Sequence, residues 1–204
     1  MSATNANGSS GYVGTTAITA TTVPQAPSVT ATNVGTGRPY NNGAATITAT
    51  GGATGGSAIT SYTATSSPSS FTASGGSPVT VTGLASATAY TFSVTATNAN
   101  GTSAPTTSNS ITATTVPQAP TVTAANVGTD RPYNNGAATI TATGGATGGS
   151  TITSYTATSS PGAGSTNSAS PVTVIKYVPL GNSVTLNGSP GSRTHICLPA
   201  IEYN

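Results

Sequence analysis

The stretch Ala89-Tyr90-Thr91-Phe92-Ser93-Val94-Thr95-Ala96-Thr97 alternates between two kinds of side chain. Tyr90, Phe92, Val94 and Ala96 fall on one set of alternate positions, and Thr and Ser occupy the other. Because successive side chains of a β-strand point to opposite faces, this period of two predicts a strand with one buried face. The pattern is typical of an antiparallel sheet that packs on a core with one side only.

Similar short segments surround this strand and are separated by Gly, Pro and Asn. We predict them at 28–34, 45–49, 59–66, 78–82 and 110–115. In the segment 59–66, Tyr62 and Ala64 are expected to face inward. Asn-Gly pairs at Asn42-Gly43 and Asn100-Gly101 predict turns, since both residue types tolerate positive φ. The whole pattern predicts an all-β fold of antiparallel two-sheet sandwiches.

The sequence repeats itself with a constant shift of 93 residues, so that Ala3–Gly8 returns as Ala96–Gly101. The match ends at Val174. We therefore expect a repeat protein, a kind of chain in which each repeat is one structural unit. The predicted parts are a partial repeat at 1–23, a complete domain at 24–116, and a divergent domain at 117–204 with a new segment at 175–204.

The broken ends of the repeat leave three explanations open. Residues 175–204 supply the last strands of the third unit in divergent form, because 183–186 and 194–198 both alternate. Alternatively, residues 2–22 are donated to another subunit, since an unpaired strand edge favours strand addition and builds homo-oligomers. The third explanation is that Met1 marks an arbitrary cut in a longer repeat array.

Charge and hydropathy exclude several classes of partner. Only 3% of the residues are charged and the formal net charge is +2, too few for the basic stripe that binds nucleic acid. No apolar run approaches the roughly 20 residues of a membrane-spanning helix. We therefore expect neither nucleic-acid binding nor a membrane span.

Chemically reactive side chains are also scarce. The chain has one His and two acidic residues, Asp130 and Glu202, so we expect no enzyme activity, no metal and no cofactor. The reactive and charged residues of the new segment form a candidate attachment tail: Lys176, Arg193, His195, Cys197 and Glu202. Metal or Cys–His chemistry there is the weaker alternative. Cys197 is alone, so it is either a buried apolar residue or half of a bond between subunits.

An Arg-Pro-Tyr segment occurs in both copies of one predicted loop. Arg38 and Tyr40 of the first copy correspond to Arg131 and Tyr133 of the second. These residues are candidate loop contacts, because a tyrosine ring can stack on a sugar. The alternative is that each ring packs against the end of its own sandwich.

Leu84, Tyr90, Phe92, Val94, Ala96, Asn98 and Gly101 together resemble the F-strand signature of fibronectin type III domains. Ile59-Thr60-Ser61-Tyr62-Thr63 is similar to the C strand of that family, especially of its microbial and bacteriophage versions. The resemblance implies tandem immunoglobulin-like sandwiches, with Leu84 and Tyr90 forming a structural tyrosine corner. One departure is that Ala49 and Ala142 stand where the family usually has a Trp.

The resemblance also implies a function. We expect a non-enzymatic structural or adhesive module of a bacteriophage virion, such as a decoration, fibre or appendage protein at the particle surface. Its expected partners are further copies of the chain, other virion proteins and cell-surface glycans. The alternative is a bacterial extracellular or cell-surface adhesin, or a filament subunit assembled by strand exchange.

Overall fold

The computed structural model describes residues 1–126, 137–160, 165–168, 172–177, 183–188 and 192–197. Side-chain surroundings are described for residues 1–125 and 139–157. The regular structure within these ranges is antiparallel β-sheet, as the alternating sequence predicts. The prediction of an all-β fold is therefore confirmed.

The complete repeat unit forms a two-sheet sandwich. Its strands are β3 Ser28–Asn33, β4 Gly43–Thr50, β5 Ser61–Ser67, β6 Thr72–Gly75, β7 Val79–Leu84, β8 Ala89–Asn98, β9 Gly101–Thr102, β10 Thr106–Thr107 and β11 Ile111–Thr112. One sheet has the order β3-β4-β7. The other has the order β6-β5-β8, and β9, β10 and β11 pair with the far side of β8.

The core lies between these two sheets and is built from alternate residues of the strands. In β8, Tyr90, Phe92, Val94 and Ala96 are buried, whereas the Thr and Ser residues between them reach towards solvent. Ala64 is fully buried, and the half-buried Tyr62 packs against the same cluster. The inward positions predicted from the period of two are thus found in the core. Ala49, where the related family usually has a Trp, is also buried.

Two features of this sheet differ from the sequence-based expectation. Strand β6 has no counterpart in the prediction, and the last strand, expected at 110–115, is only the two-residue β11, with β9 and β10 preceding it along the same side of β8. The last strand is interrupted because serine hydroxyls replace part of its backbone ladder. Ser103 Oγ accepts a hydrogen bond from the amide of Ala96 at 3.0 Å, and Ser108 Oγ accepts one from the amide of Phe92 at 3.0 Å.

The divergent unit has the same two-sheet pairing scheme. Its strands are β12 Thr121–Asn126, β13 Ala137–Thr143, β14 Tyr155–Ser160, β15 Ser165–Ser168, β16 Val172–Tyr177, β17 Ser183–Gly188 and β18 Ser192–Cys197. The sheet orders are β12-β13-β16 and β15-β14-β17-β18. Strand β17 therefore occupies beside β14 the place that β8 occupies beside β5, and β18 follows it at the edge.

The pairing of β13 with β16 is displaced relative to the complete unit. Ile140 pairs with Val174, whereas the corresponding Ile47 pairs with Val79, the counterpart of Val172. The displacement is two residues, so the alternation of the strand faces is preserved. The division of the chain at residues 23 and 116 stays a prediction.

At the N-terminus, β1 Thr4–Asn5 and β2 Gly8–Ser9 form a separate two-stranded hairpin. It reproduces the hairpin of β8 and β9: Thr4 pairs with Ser9 as Thr97 pairs with Thr102. The serine contact is also repeated, because the amide of Ala3 donates to Ser10 Oγ at 2.9 Å. Residues 1–23 are exposed throughout. The hairpin therefore forms from local sequence, without a sandwich core beneath it.

Candidate functional site

The predicted corner residues lie where β7 ends and β8 begins. Leu84 and Tyr90 are both almost completely buried. The Tyr90 hydroxyl reaches back over the connection and accepts a hydrogen bond from the amide of Ala85 at 3.0 Å. The amide of Ala85, in the short connection between β7 and β8, therefore has a hydrogen-bond acceptor within the protein. It is a structural contact, and nothing in its surroundings suggests binding.

We expect Tyr90→Phe to destabilise the complete sandwich by about 1–2 kcal/mol, because the partly buried Ala85 amide loses its acceptor while the ring packing is kept. Calorimetric unfolding of the full chain measures this loss. Tyr62→Phe is the matched control, since Tyr62 is half-buried and packs on the same core. A loss no larger for Tyr90→Phe than for Tyr62→Phe would show that the hydroxyl contact contributes nothing.

The loop between β3 and β4 contains the candidate contacts Arg38 and Tyr40, and both side chains are half-buried. The Arg38 guanidinium is turned onto its own loop, where Nε donates to the carbonyl oxygen of Asn42 at 2.6 Å. The Asn42 amide in turn donates to the Pro39 carbonyl at 3.0 Å, which closes the turn. Arg38 therefore helps to fix the loop conformation. The counterparts Arg131 and Tyr133 lie outside the described residues.

The loop between β7 and β8 contacts this turn through hydrogen bonds. Asn41, at φ 58°, donates its amide to Ser86 Oγ at 2.9 Å, and Asn41 Oδ1 accepts from the Ser86 amide at 3.1 Å. The two loops are thus joined at one end of the sandwich by a reciprocal pair of hydrogen bonds. Tyr40 lies on this end, where a sugar ring could stack on the exposed part of its side chain, and this role stays a prediction.

The candidate attachment residues of the tail are distributed over two strands. Lys176 lies in β16, whereas Arg193, His195 and Cys197 occupy alternate positions of the edge strand β18. The fold thus places these three residues in one strand and Lys176 in another. Glu202 lies outside the described residues. Within the part of the chain that was searched, no group of three His, Cys, Asp or Glu residues could hold a metal ion.

A further contact, not predicted from the sequence, is made by the segment Thr-Thr-Val-Pro, which occurs at 21–24 and again at 114–117 and is called the strap below. At its first occurrence, the amide of Thr22 donates to the Gly55 carbonyl at 2.8 Å. The Thr22 carbonyl accepts from Asn98 Nδ2 at 2.9 Å and from Asn100 Nδ2 at 3.1 Å. The side chain of Asn98 is buried and also donates to the Thr54 carbonyl at 2.8 Å. Residues 21–23 are thereby held against the end of the complete sandwich.

The same strap recurs one repeat later, between the two sandwiches. The amide of Thr115 donates to the Gly148 carbonyl at 2.8 Å, as Thr22 does to Gly55. Gly55 and Gly148 both have positive φ, at 65° and 69°. The repeated Gly-Gly pairs at 55–56 and 148–149 were the sequence signal for this strap, because such φ values favour glycine.

No family model and no curated relative matches the sequence. Solved structures are similar at low identity. They include the FN1–FN3 domains of chicken CNTN1 (19% identity, TM-score 0.40, 85% of this chain and 66% of that one), an ice-binding adhesin of an Antarctic bacterium (21%, 0.42, 96% and 53%) and a two-domain fibronectin type III segment of chicken tenascin (20%, 0.32, 86% and 98%). The chain thus spans less than two thirds of the first two.

The fold class follows from the sandwich itself together with its sequence signature. The chain carries tandem fibronectin type III-like, immunoglobulin-like β-sandwich repeats. The described residues contain no helix that is long and apolar enough to cross a membrane.

Proposed function

We propose that this chain is a non-enzymatic, extracellular structural module that presents fibronectin type III-like sandwiches at a surface. The observation that carries the proposal is the repeated strap: a backbone hydrogen bond at Gly148 links the two sandwiches, and the same bond at Gly55 holds the end of the partial N-terminal repeat. A chain built from such units can extend outward from an attachment point. This is the behaviour expected of a spacer or an adhesive module.

The outward faces of the complete sandwich support the same role. Their hydroxyl groups bond to each other across strands, as Thr63 does with Ser74 at 2.8 Å and Thr97 with Thr102 at 3.1 Å. Such a surface is polar but almost without charge, so it has few charge interactions for salt to screen. Hydroxyl and amide groups are also suitable partners for glycans, with Tyr40 as the candidate stacking residue.

The specific version of the proposal is a decoration, fibre or appendage protein of a bacteriophage virion, with other virion proteins or further copies of the chain as partners. The alternative is a bacterial extracellular adhesin or filament subunit. The N-terminal segment 1–23 favours strand exchange in that alternative, because its Ile18 is 90% exposed although the counterpart Ile111 packs on a core.

Immunogold electron microscopy of a culture that produces the protein tests this proposal. We expect gold particles on the outside of released virus particles. Labelling of bacterial surfaces or of filaments would instead support the adhesin alternative. Labelling confined to the interior of cells would contradict both versions of the proposal. Pre-immune serum provides the matched control for background labelling.

A further inference from the structure

We infer that the end of each sandwich that carries the Gly-Gly loop is a docking surface for the preceding repeat, so that consecutive sandwiches stack at a fixed angle. The occupant of this surface is another copy of the same repeat, seated through its Thr-Thr-Val-Pro strap. This inference deepens the proposed spacer role and rests on it. It adds a defined partner and a stiff joint to that role.

The first argument is that the strap between the two sandwiches has no free backbone amide. The amide of Thr115 donates to Gly148 of the following unit, and that of Val116 donates to the Arg38 carbonyl of the preceding one at 3.0 Å. Pro117 has no amide hydrogen, and the amide of Gln118 donates to the Ala146 carbonyl at 2.8 Å. Adjacent residues of the strap are therefore bound to different sandwiches.

The second argument is that the two sandwiches approach each other closely at the strap. Thr115 is 7% exposed, and its hydroxyl lies 2.5 Å from Ser86 Oγ, which fixes the strap to the loop between β7 and β8 of the preceding sandwich. A Cβ atom placed on Gly149 would lie 3.3 Å from the amide nitrogen of Ala87 in the same loop. Domains joined by ordinary linkers move relative to each other unless their contact prevents it. Here the contact includes both loops and the strap.

The third argument is that the same docking geometry exists at the other end of the complete sandwich. Gly55 and Gly56 have the positive φ values of Gly148 and Gly149, and a Cβ on Gly56 would lie 3.2 Å from Thr21 Cγ2. Asn98 and Asn100 hold the carbonyl of Thr22 there. The strap that this surface holds follows a hairpin with the pairing of β8 and β9. The surface is thus a property of the repeat and not of one junction.

Distances between spin labels test the stiffness of the joint in the full chain. After Cys197→Ser removes the native thiol, labels are attached at Thr48→Cys and Thr141→Cys, which are exposed and occupy the same position in each repeat. Double electron–electron resonance should give one narrow distance distribution. A broad distribution, as for a flexible linker, would overturn the inference and leave the surface localisation open to its own test.

Gly148→Ala should broaden this distribution at least about twofold, because the added Cβ would lie 2.5 Å from the Thr115 carbonyl oxygen at a positive φ. Gly55→Ala is the matched control: it changes the same loop position with the same strain, but outside the labelled joint. It should leave the distribution unchanged. If Gly148→Ala does not fold, Thr115→Val removes the hydroxyl contact with Ser86 and should broaden the distribution as well. No broadening in any folded joint variant would contradict the proposed docking.

Discussion

Phe92→Ala is expected to destabilise the complete sandwich by about 3–5 kcal/mol, the cost of removing a fully buried phenylalanine ring from a packed core. Phe92 lies at the centre of β8, between Tyr90 and Val94, and its side chain is 0% exposed. The core has no Trp ring that could keep it packed, because Ala49 occupies the position where the related family usually has a Trp. The remaining small side chains would fill the cavity left by the Phe92 ring only in part.

For a domain of this size, such a loss lowers the melting temperature by more than about 10 °C. Calorimetry detects the change, and hydrogen exchange of β8 peptides assigns it to the complete sandwich. Phe71→Ala is the matched control, since Phe71 is the other phenylalanine and is 36% exposed. Its expected cost is below about 1 kcal/mol. Equal losses for the two variants would mean that Phe92 is not a central core residue.

The strands were predictable from sequence where burial produces a regular pattern. Strand β8 shows this most clearly, because its alternation follows from one face packing on the core. Strand β6 was missed because Thr72–Gly75 contains only small and polar residues, with no apolar alternation. It forms because β5 offers it a paired edge, with Ala64 opposite Ala73. Such pairing depends on tertiary structure and leaves little signal in the local sequence.

The strap could not be predicted from the sequence for a different physical reason. Its contacts join backbone groups that are far apart in sequence, such as the Val116 amide and the Arg38 carbonyl. Backbone groups are the same in every residue, so composition does not reveal which of them will pair. Only the glycines indicate the strap in the sequence, because the positive φ at Gly55 and Gly148 favours a residue without a side chain. Arg38 and Tyr40 were located in the correct loop, but the turn of the Arg38 guanidinium onto Asn42 required coordinates.

Asn98→Ala is expected to cost about 2–3 kcal/mol, because the substitution removes a buried side-chain amide that donates to several carbonyl groups. Asn98 is 5% exposed, and its Nδ2 atom bonds to the carbonyls of Thr22 and Thr54. Alanine cannot replace these donors, and the buried site admits little water. The strap at Thr22 should also loosen, which faster hydrogen exchange of its amide would reveal.

The repeat itself provides the control for this experiment, since Asn5 is the counterpart of Asn98. Both side chains accept a hydrogen bond from the amide two residues later, at 2.9 Å in Asn7 and 2.8 Å in Asn100, so both support the same hairpin turn. Asn5 is exposed, however, whereas Asn98 is buried. Asn5→Ala should therefore change the unfolding free energy of the complete sandwich by less than about 0.5 kcal/mol. The difference between the two variants isolates the contribution of the buried carbonyl contacts, and a difference near zero would refute the role assigned to Asn98.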